Sequence, residues 1–417
     1  MSDVKIGYEI LSNIYKNKAY SSIELGKKLE YANSSKWVTK LVYGVLEKDV
    51  ELEYYLKHMT QKRPQASVVV ILKMGMYCIK YMDSMPIYAV VNNMVDLTEF
   101  IGKRQVKGFV NSFLKTFSTQ KIELPTLRAP RLSVESSTPL WLVTKYIKQF
   151  GYDTTQKFLL ADGKKKEHIR ANTRICSLDE LIAKLDEQGI CYEKSPVGGL
   201  WVDNSKEIRQ LFEQGLITMQ SMTSMLCVQA LEIKDGDKIL DMCSAPGGKG
   251  VYAQEIANGV EVVACDIHPH RVELIKSYAR RMQADQIAIF EQDATVFDPK
   301  FEGVFDKVLC DVPCSGFGVS KKKPDIYLNT SLTDVENLTK IQYDILSNAV
   351  RYVADTGCVV YSTCTLLREE NYNIVGRFVK ENPEWYVEYH HQYLPNEEGY
   401  DGFFVARLKR KKDEDIT

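Results

Sequence analysis

No stretch of this 417-residue chain approaches the roughly 20 consecutive apolar residues needed to cross a bilayer, so no membrane segment is expected. There is no C-x-x-C pair either. The ten cysteines are scattered and no Cys/His cluster accompanies them, so neither a zinc site nor a disulfide framework is expected, and no metal is assigned. The opening residues Met1-Ser2-Asp3-Val4-Lys5 lack the apolar core of a signal peptide, which points to a cytoplasmic protein whose cysteines stay as thiols. Internal repeats and low-complexity tracts are absent. So is a strong charge: 54 Lys and Arg against 55 Asp and Glu leave a net −1, which neither demands nor excludes a polyanionic partner. Residues 1 to 125 carry 18 basic and 12 acidic side chains, an excess of six, and the remainder is therefore at −7. Ordinary solvated helix faces explain that asymmetry as well as a nucleic-acid surface does.

What is present is a soluble composition, 45% hydrophobic and 26% charged, on a chain long enough for two or three domains. The first part reads as helical. Val68 to Met82 is apolar nearly all round, as in the buried central helix of a bundle. Ile87, Val90, Val91, Met94, Val95, Leu97, Phe100 and Ile101 recur at helical spacing between Pro86 and Gly102, with Ser84 and Pro86 as start signals. Ala129-Pro130-Arg131 and Ser136-Ser-Thr-Pro139 read as a linker. From 140 to 215, helical stretches (Leu140 to Phe150, Leu178 to Gln188) mix with strand-like runs (Ile169 to Thr173, Gly199 to Val202) in a small α+β unit. From residue 216 short apolar runs alternate with helix-length stretches: Lys238 to Cys243, Glu261 to Asp266, Ile287 to Asp293, Phe305 to Asp311 and Gly357 to Cys364. That alternation predicts a doubly wound α/β sheet, whose ligand crevice lies outside the carboxyl ends of the strands. The expected divisions are 1–128, 140–215, 216–410, and a disordered tail at 411–417 within a charged stretch that begins at Lys409.

Between the first strand and its helix runs Asp241-Met-Cys243-Ser244-Ala245-Pro246-Gly247-Gly248-Lys249-Gly250. A P-loop would need glycine at position 243 and Ser or Thr at 250; they are Cys and Gly. The dinucleotide pattern G-x-G-x-x-G is absent too. A cofactor without a phosphate to cradle, S-adenosylmethionine, fits better. Asp266, ending the second strand, is placed to accept hydrogen bonds from ribose hydroxyls, and Asp293 could face an adenine amino group. Taken singly, each Asp is as readily a helix N-cap. Cys78, Cys176, Cys191 and Cys227 read as core residues, as do Cys243, Cys265, Cys310 and Cys358 in or at strands. Cys314 and Cys364 differ, because they follow strand ends in turn-like contexts, Asp311-Val-Pro-Cys-Ser-Gly316 and Ser362-Thr-Cys-Thr365.

Asp241 to Lys249, Asp311 to Ser315 and Thr363-Cys364 resemble, in order, the D-x-C-A-A-P-G-G-K, D-x-P-C-S and T-C motifs of the Sun (Fmu, RsmB) family of RNA cytosine-5 methyltransferases. Pro324-Asp-Ile326 and Asp401 to Leu408 extend the likeness, and residues 1 to about 120 are similar to the antiterminator NusB, as in the bacterial type acting on small-subunit ribosomal RNA. The resemblance implies an all-α NusB-like N-terminal domain, a small α+β middle unit that binds RNA or links, and a Rossmann-like methyltransferase domain. It implies a site in which Cys243, Ser244, Ala245, Pro246, Gly247, Gly248, Lys249, Asp266, Arg271, Asp293 and Asp311 hold S-adenosylmethionine. It makes Cys364 the nucleophile and Cys314 the residue that helps release product. Ser244 replaces the family's usual Ala, and Ser221 stands after Gln220 where Asp or Glu is common.

The chemistry fits these roles. Cytosine C5 is a poor nucleophile, and thiolate addition at C6 makes it an enamine carbon able to attack a methyl group. Charge developing at N3 and O2 calls for a hydrogen-bonding acid, which Asp311 supplies if its carboxyl is raised. Sulfur and methyl must approach from opposite faces, so the substrate is a single-stranded, loop or flipped-out cytosine in ribosomal RNA. The protein is expected to act as a monomer. Two other readings stand beside this one: a transfer-RNA enzyme of identical chemistry, and an RNA-binding antitermination factor with a vestigial methyltransferase domain.

Overall fold

The computed structural model describes residues 2–411 apart from Ser84 and Asp285. The helix-start signal read at Ser84 and the tail from 412 onward lie outside the described residues. Two compact units emerge, Met1–Leu160 with Ser320–Ser331, and Ala161–Val319 with Leu332–Thr417.

The first unit is helical. Ala66–Tyr81 has eleven consecutive buried residues, Val68 to Cys78, and is surrounded by Asp3–Asn17, Ser35–Glu47, Asp49–Met59, Ile87–Phe100 and Lys107–Phe117. Lys73 can sit inside so apolar a helix because its ammonium meets Asp49 at 2.6 Å and Glu53 at 3.2 Å. Gly44 is where Ser35–Glu47 passes Tyr77: a Cβ there would lie 1.9 Å from the phenol ring. Pro86 sits at the N-cap of Ile87–Phe100, as its sequence position predicts. The expected linker at 129–131 is instead part of the helix Arg128–Glu135. Pro130 is tolerated there because it falls in the first turn, where its missing N–H has no intrahelical acceptor to lose. Only Ser136–Pro139 forms the break, and Leu140–Phe150 and Tyr152–Leu160 pack with this unit and not with a middle one. Ser320–Ser331 joins the unit through Asp325, whose buried carboxylate accepts from Ser21 Oγ (2.7 Å) and Ser21 N (3.2 Å) at the start of helix Ser21–Lys28.

The second unit holds two sheets. The smaller is antiparallel: β1 (Glu167–Ala171), β2 (Tyr192–Lys194), β3 (Leu200–Val202) and β4 (Ile217–Met219), in the order β2-β3-β1-β4. β4 carries this sheet past the expected boundary at 215. Cys191, read as a core residue, is exposed. The larger sheet contains β5 (Lys238–Asp241), β6 (Glu261–Asp266), β7 (Ile287–Glu291), β8 (Phe305–Asp311), β9 (Val353–Thr363), β10 (Trp385–Tyr393) and β11 (Phe403–Arg410), ordered β10-β11-β9-β8-β5-β6-β7. β5 to β9 run parallel, β11 runs antiparallel to β9, and β10 pairs antiparallel with β11 at the edge, the Rossmann-like methyltransferase arrangement with a mixed edge. Lys409 and Arg410, assigned to a charged tail, are the last residues of β11.

Successive residues alternate between two cores. Leu240, Val308, Cys310, Val359 and Tyr361 face helices Leu332–Tyr352 and Tyr372–Glu381, whereas Ile239, Leu309 and Val360 face Met222–Gln229 and Gly248–Ile256. Burial on both faces makes these strands read as unbroken apolar runs. The pairs Asp241–Leu309 and Asp311–Ser362 bring the carboxyl ends of β5, β8 and β9 level with one another.

Candidate active site

Strand β5 delivers Asp241 to the turn Met242–Gly247. Gly247 adopts φ 105°, which only glycine takes without strain, and starts helix Gly248–Ile256; a Cβ there would also meet Ile275 at 3.3 Å. Asp241 is fully buried. Among the described residues neither of its oxygens, nor Ser244 Oγ, has a hydrogen-bond partner, and burial lifts the Asp241 carboxyl to about 7. An orphaned buried carboxylate and hydroxyl beside a glycine turn form a donor and acceptor set that a bound small molecule would complete, which fits the cofactor expected here.

The neighbouring strand ends are partly committed to local structure. Asp266, almost wholly buried, accepts from Ala245 N and His268 N at 3.3 Å each, and Arg271 lies 3.3 Å from the same carboxylate. Asp293 accepts from Thr295 N (2.9 Å) and Thr295 Oγ1 (2.7 Å), an Asx-type turn. Cys243 borders the core beneath the loop, and Pro246 is exposed, joined to Ala245 by a cis peptide bond.

Asp311, ending β8, lies 2.5 Å from Lys249 Nζ and accepts from Ser362 Oγ at 2.9 Å. Burial alone would lower the Lys249 ammonium; the Asp311 charge more than offsets it and holds the lysine above its usual range. Asp311 is thus one half of an ion pair. The next turn carries Cys314, whose Sγ is 3.2 Å from Cys364 Sγ and also accepts from Cys364 N at 3.2 Å. The contact with Cys364, and then burial, push the Cys314 thiol well above the ordinary range, so it keeps its proton at neutral pH. All ten cysteines are outside disulfides. Gly318 and Gly402 let the loop after Cys314 approach the one before β11: Gly402 N donates to Gly318 O at 2.9 Å, and a Cβ on Gly318 would strike that carbonyl of Gly402 at 1.9 Å.

Two residues that sequence reasoning passed over hold these turns together. Glu370 is completely buried and accepts from Ser315 N (2.8 Å), Ser315 Oγ (2.6 Å) and Gln342 Nε2 (3.0 Å); burial raises its carboxyl. Asn371 accepts from Thr363 Oγ1 at 2.5 Å and donates to Thr365 O at 3.1 Å, so both neighbours of Cys364 are fixed. The only signal was their place, six and seven residues beyond Cys364, in a charged run that looks solvated. Ser221, in place of an acid, caps helix Met222–Gln229 by accepting from Ser224 N at 3.3 Å. Gln220 ties β1 to the cofactor turn, accepting from Arg170 Nε (2.8 Å) and donating to Gly248 O (3.4 Å).

Two predictions arise here. An aspartate in the unfolded chain titrates near 4, and the raised value in the folded state means that Asp241 supports the fold fully below about pH 4 and loses that contribution as pH rises through about 7. Asp241→Asn should therefore melt like the parent at pH 4 and roughly 5 °C higher at pH 8 in the absence of cofactor; identical melting at both pH values would show that the carboxylate is not strained. Glu370→Ala strands its buried donors and should cost about 2–4 kcal/mol in urea unfolding. Folded Glu370→Ala protein should also alkylate at Cys314 faster than the parent; unchanged alkylation would mean that the carboxylate does not hold the turn.

Residues 228–409 match the family described as 16S rRNA methyltransferase RsmB/F, and residues 5–119 match the NusB family. The chain is 31% identical over 446 residues to the "Probable ribosomal RNA small subunit methyltransferase B" of Bacillus subtilis (strain 168), covering 97% of this chain and 98% of that one. It is 29% identical to the "Ribosomal RNA small subunit methyltransferase B" of Photorhabdus laumondii, covering 89% and 90%. Of solved structures, PH0851 is similar with a TM-score of 0.81 at 21% identity over 98% of this chain and 99% of that one. NSun6 from Pyrococcus horikoshii, solved with the S-adenosylmethionine analogue SFG, gives 0.57 at 21% identity over 65% and 97%.

Proposed function

Because this chain belongs to the RsmB/F family of 16S ribosomal RNA methyltransferases, we propose that it methylates carbon 5 of a cytosine in small-subunit ribosomal RNA, with Cys364 as covalent nucleophile. The observation that carries the reading is the pair of thiols, 3.2 Å apart, at the ends of β8 and β9 beside Asp311 and Lys249. S-Adenosylmethionine, when bound, supplies the electrophilic methyl group. The turn from Cys243 to Lys249, with Asp241, Asp266, Arg271 and Asp293, would hold it. Naming of the Bacillus and Photorhabdus relatives, and the SFG found with NSun6, support substrate and cofactor.

Each residue then has a task. The Cys364 thiolate adds to C6 of the cytosine, and the negative charge displaced toward N3 and O2 is met by the Lys249 ammonium, which Asp311 holds in place. C5, now enamine-like, takes the methyl group. The C5 proton then passes to solvent water, its electron pair re-forms the C5–C6 double bond, and the C6–S bond breaks with its pair on sulfur to restore the thiolate. Cys314, still carrying its proton, donates to the Cys364 sulfur as it departs. The helical N-terminal unit and the small sheet are assigned to RNA binding, and the place of action to the cytoplasm.

Bisulfite mapping of total RNA from cells with and without this chain tests the reading. A 5-methylcytosine present in 16S ribosomal RNA only when the chain is made is the expected result. A mark confined to transfer RNA would overturn the substrate, and no altered cytosine anywhere would overturn the reaction.

A further inference from the structure

The last third of the chain carries an aromatic surface that the reaction does not use. On β10, Tyr389, His391 and Tyr393 alternate with residues of the opposite face, as a period of two requires, and the hydroxyls of Tyr389 and Tyr393 approach to 3.3 Å. The ring of His391 lies 4.3 Å from that of Tyr393. Tyr393 in turn stacks on Tyr400, with ring centroids 5.5 Å apart and planes 4° from parallel. Tyr400 packs on the cluster of Trp201, Met222 and Met225, and Gly399 is needed beside it because a Cβ there would come within 2.3 Å of the Trp201 ring. Tyr389 remains 39% exposed, and His391 is exposed as well.

This ladder stands near Cys364 in the sheet. Tyr393 pairs with Phe403, Phe404 with Thr363, and Cys364 follows Thr363, so the ladder stands two strands away, about 10 Å across the sheet. Cys364 and Tyr393 pack against the same core cluster. Cys227, buried within that cluster, donates to Ser362 Oγ at 3.1 Å, the hydroxyl bound to Asp311. At the far end, Lys164 covers the Trp201 ring at 5.3 Å, in the run Lys164-Lys165-Lys166, whose first and last ammonium groups share Glu193 as partner. Rings in series beside a lysine run are what successive bases of a single strand stack on while the backbone passes cations.

We propose that Tyr389 and His391, backed by Tyr393 and Tyr400, form the stacking subsite for the nucleotides flanking the target cytosine, in single-stranded RNA. This rests on the ribosomal-RNA reading above. A flipped-out cytosine leaves its neighbours without a stacking partner on one side, and the ladder replaces that partner without reading sequence, since every base offers a π face.

The test uses the full chain and its Tyr389→Ala and Tyr389→Phe variants. With unmethylated 16S ribosomal RNA, Tyr389→Ala should raise KM roughly tenfold, the loss of one base–aromatic stack. Its kcat at saturating RNA and its affinity for S-adenosylmethionine should not change, and Tyr389→Phe should restore KM. A short oligocytidylate carrying 2-aminopurine is titrated in parallel, and its fluorescence should be quenched by the parent and the Phe variant but not by the Ala variant. An unchanged KM with equal quenching by all three proteins would overturn the subsite. Absence of methylation by the parent would instead sink the underlying function, and the titration would still decide the subsite.

Discussion

Cys364→Ala protein should transfer no methyl group from labelled S-adenosylmethionine to 16S ribosomal RNA, a loss on the order of 10³-fold or more, while binding the cofactor as tightly as the parent. The magnitude follows from the chemistry. Without sulfur at C6 the ring never gains the electron density that lets C5 attack, and no neighbouring group can substitute, because Cys314 holds its proton and lies on the far side of the contact. The cofactor turn is built from β5, β6 and the helix after Gly247, none of which includes Cys364. The fold should tolerate the change, since one sulfur is removed from a half-buried position. Equilibrium dialysis with the cofactor and filter-bound methyl counts measure the two halves separately. Turnover at the parental rate would sink the covalent mechanism.

Cys314→Ala should do something different: it should trap the enzyme on its product. Addition and methyl transfer need Cys364, but departure of that sulfur is eased by a hydrogen bond from the neighbouring thiol, and alanine offers none. Incubation with RNA and cofactor should therefore give a protein–RNA complex that survives denaturing electrophoresis, in a large fraction of the molecules, with almost no free methylated RNA. The double variant Cys314→Ala/Cys364→Ala should form no such complex, which identifies the sulfur that links them. Clean release of product by Cys314→Ala would remove this role for Cys314.

How much of this could be read from residues alone differs by region. Strands β5, β6 and β8 were legible because both faces are covered, which turns Ile239-Leu240 or Val308-Leu309-Cys310 into apolar runs with chemistry at their ends. β10 was not. Trp385-Tyr-Val-Glu-Tyr-His-His-Gln-Tyr393 lies at the sheet edge, where solvent allows histidines and glutamate, and the alternation fades. Arg128–Glu135 was misread because proline was taken as a breaker when it stood in a first turn. At the site, Cys314 and Cys364 could be singled out by their strand ends. Glu370 and Asn371 could not, because nothing in a sequence distinguishes a buried glutamate with several donors from one facing water. Nor could spacing show that Asp266 and Asp293 each accept a backbone N–H from two residues on, inside their own turns.

The order of strands also sets a timetable for synthesis. β9 carries Thr363 and the turn of Cys364, yet one of its two neighbours, β11, is made from Phe403–Arg410, some forty residues later in the chain. As the nascent polypeptide leaves the ribosome, β9 therefore waits with one side of its backbone unpaired, an open edge that invites other strands. Translation that stops short of Phe403 leaves Cys364 and the turn after β5 encoded but the sheet beneath them unfinished. The centre is thus assembled last, and a truncated chain is a candidate for aggregation and not for weak activity.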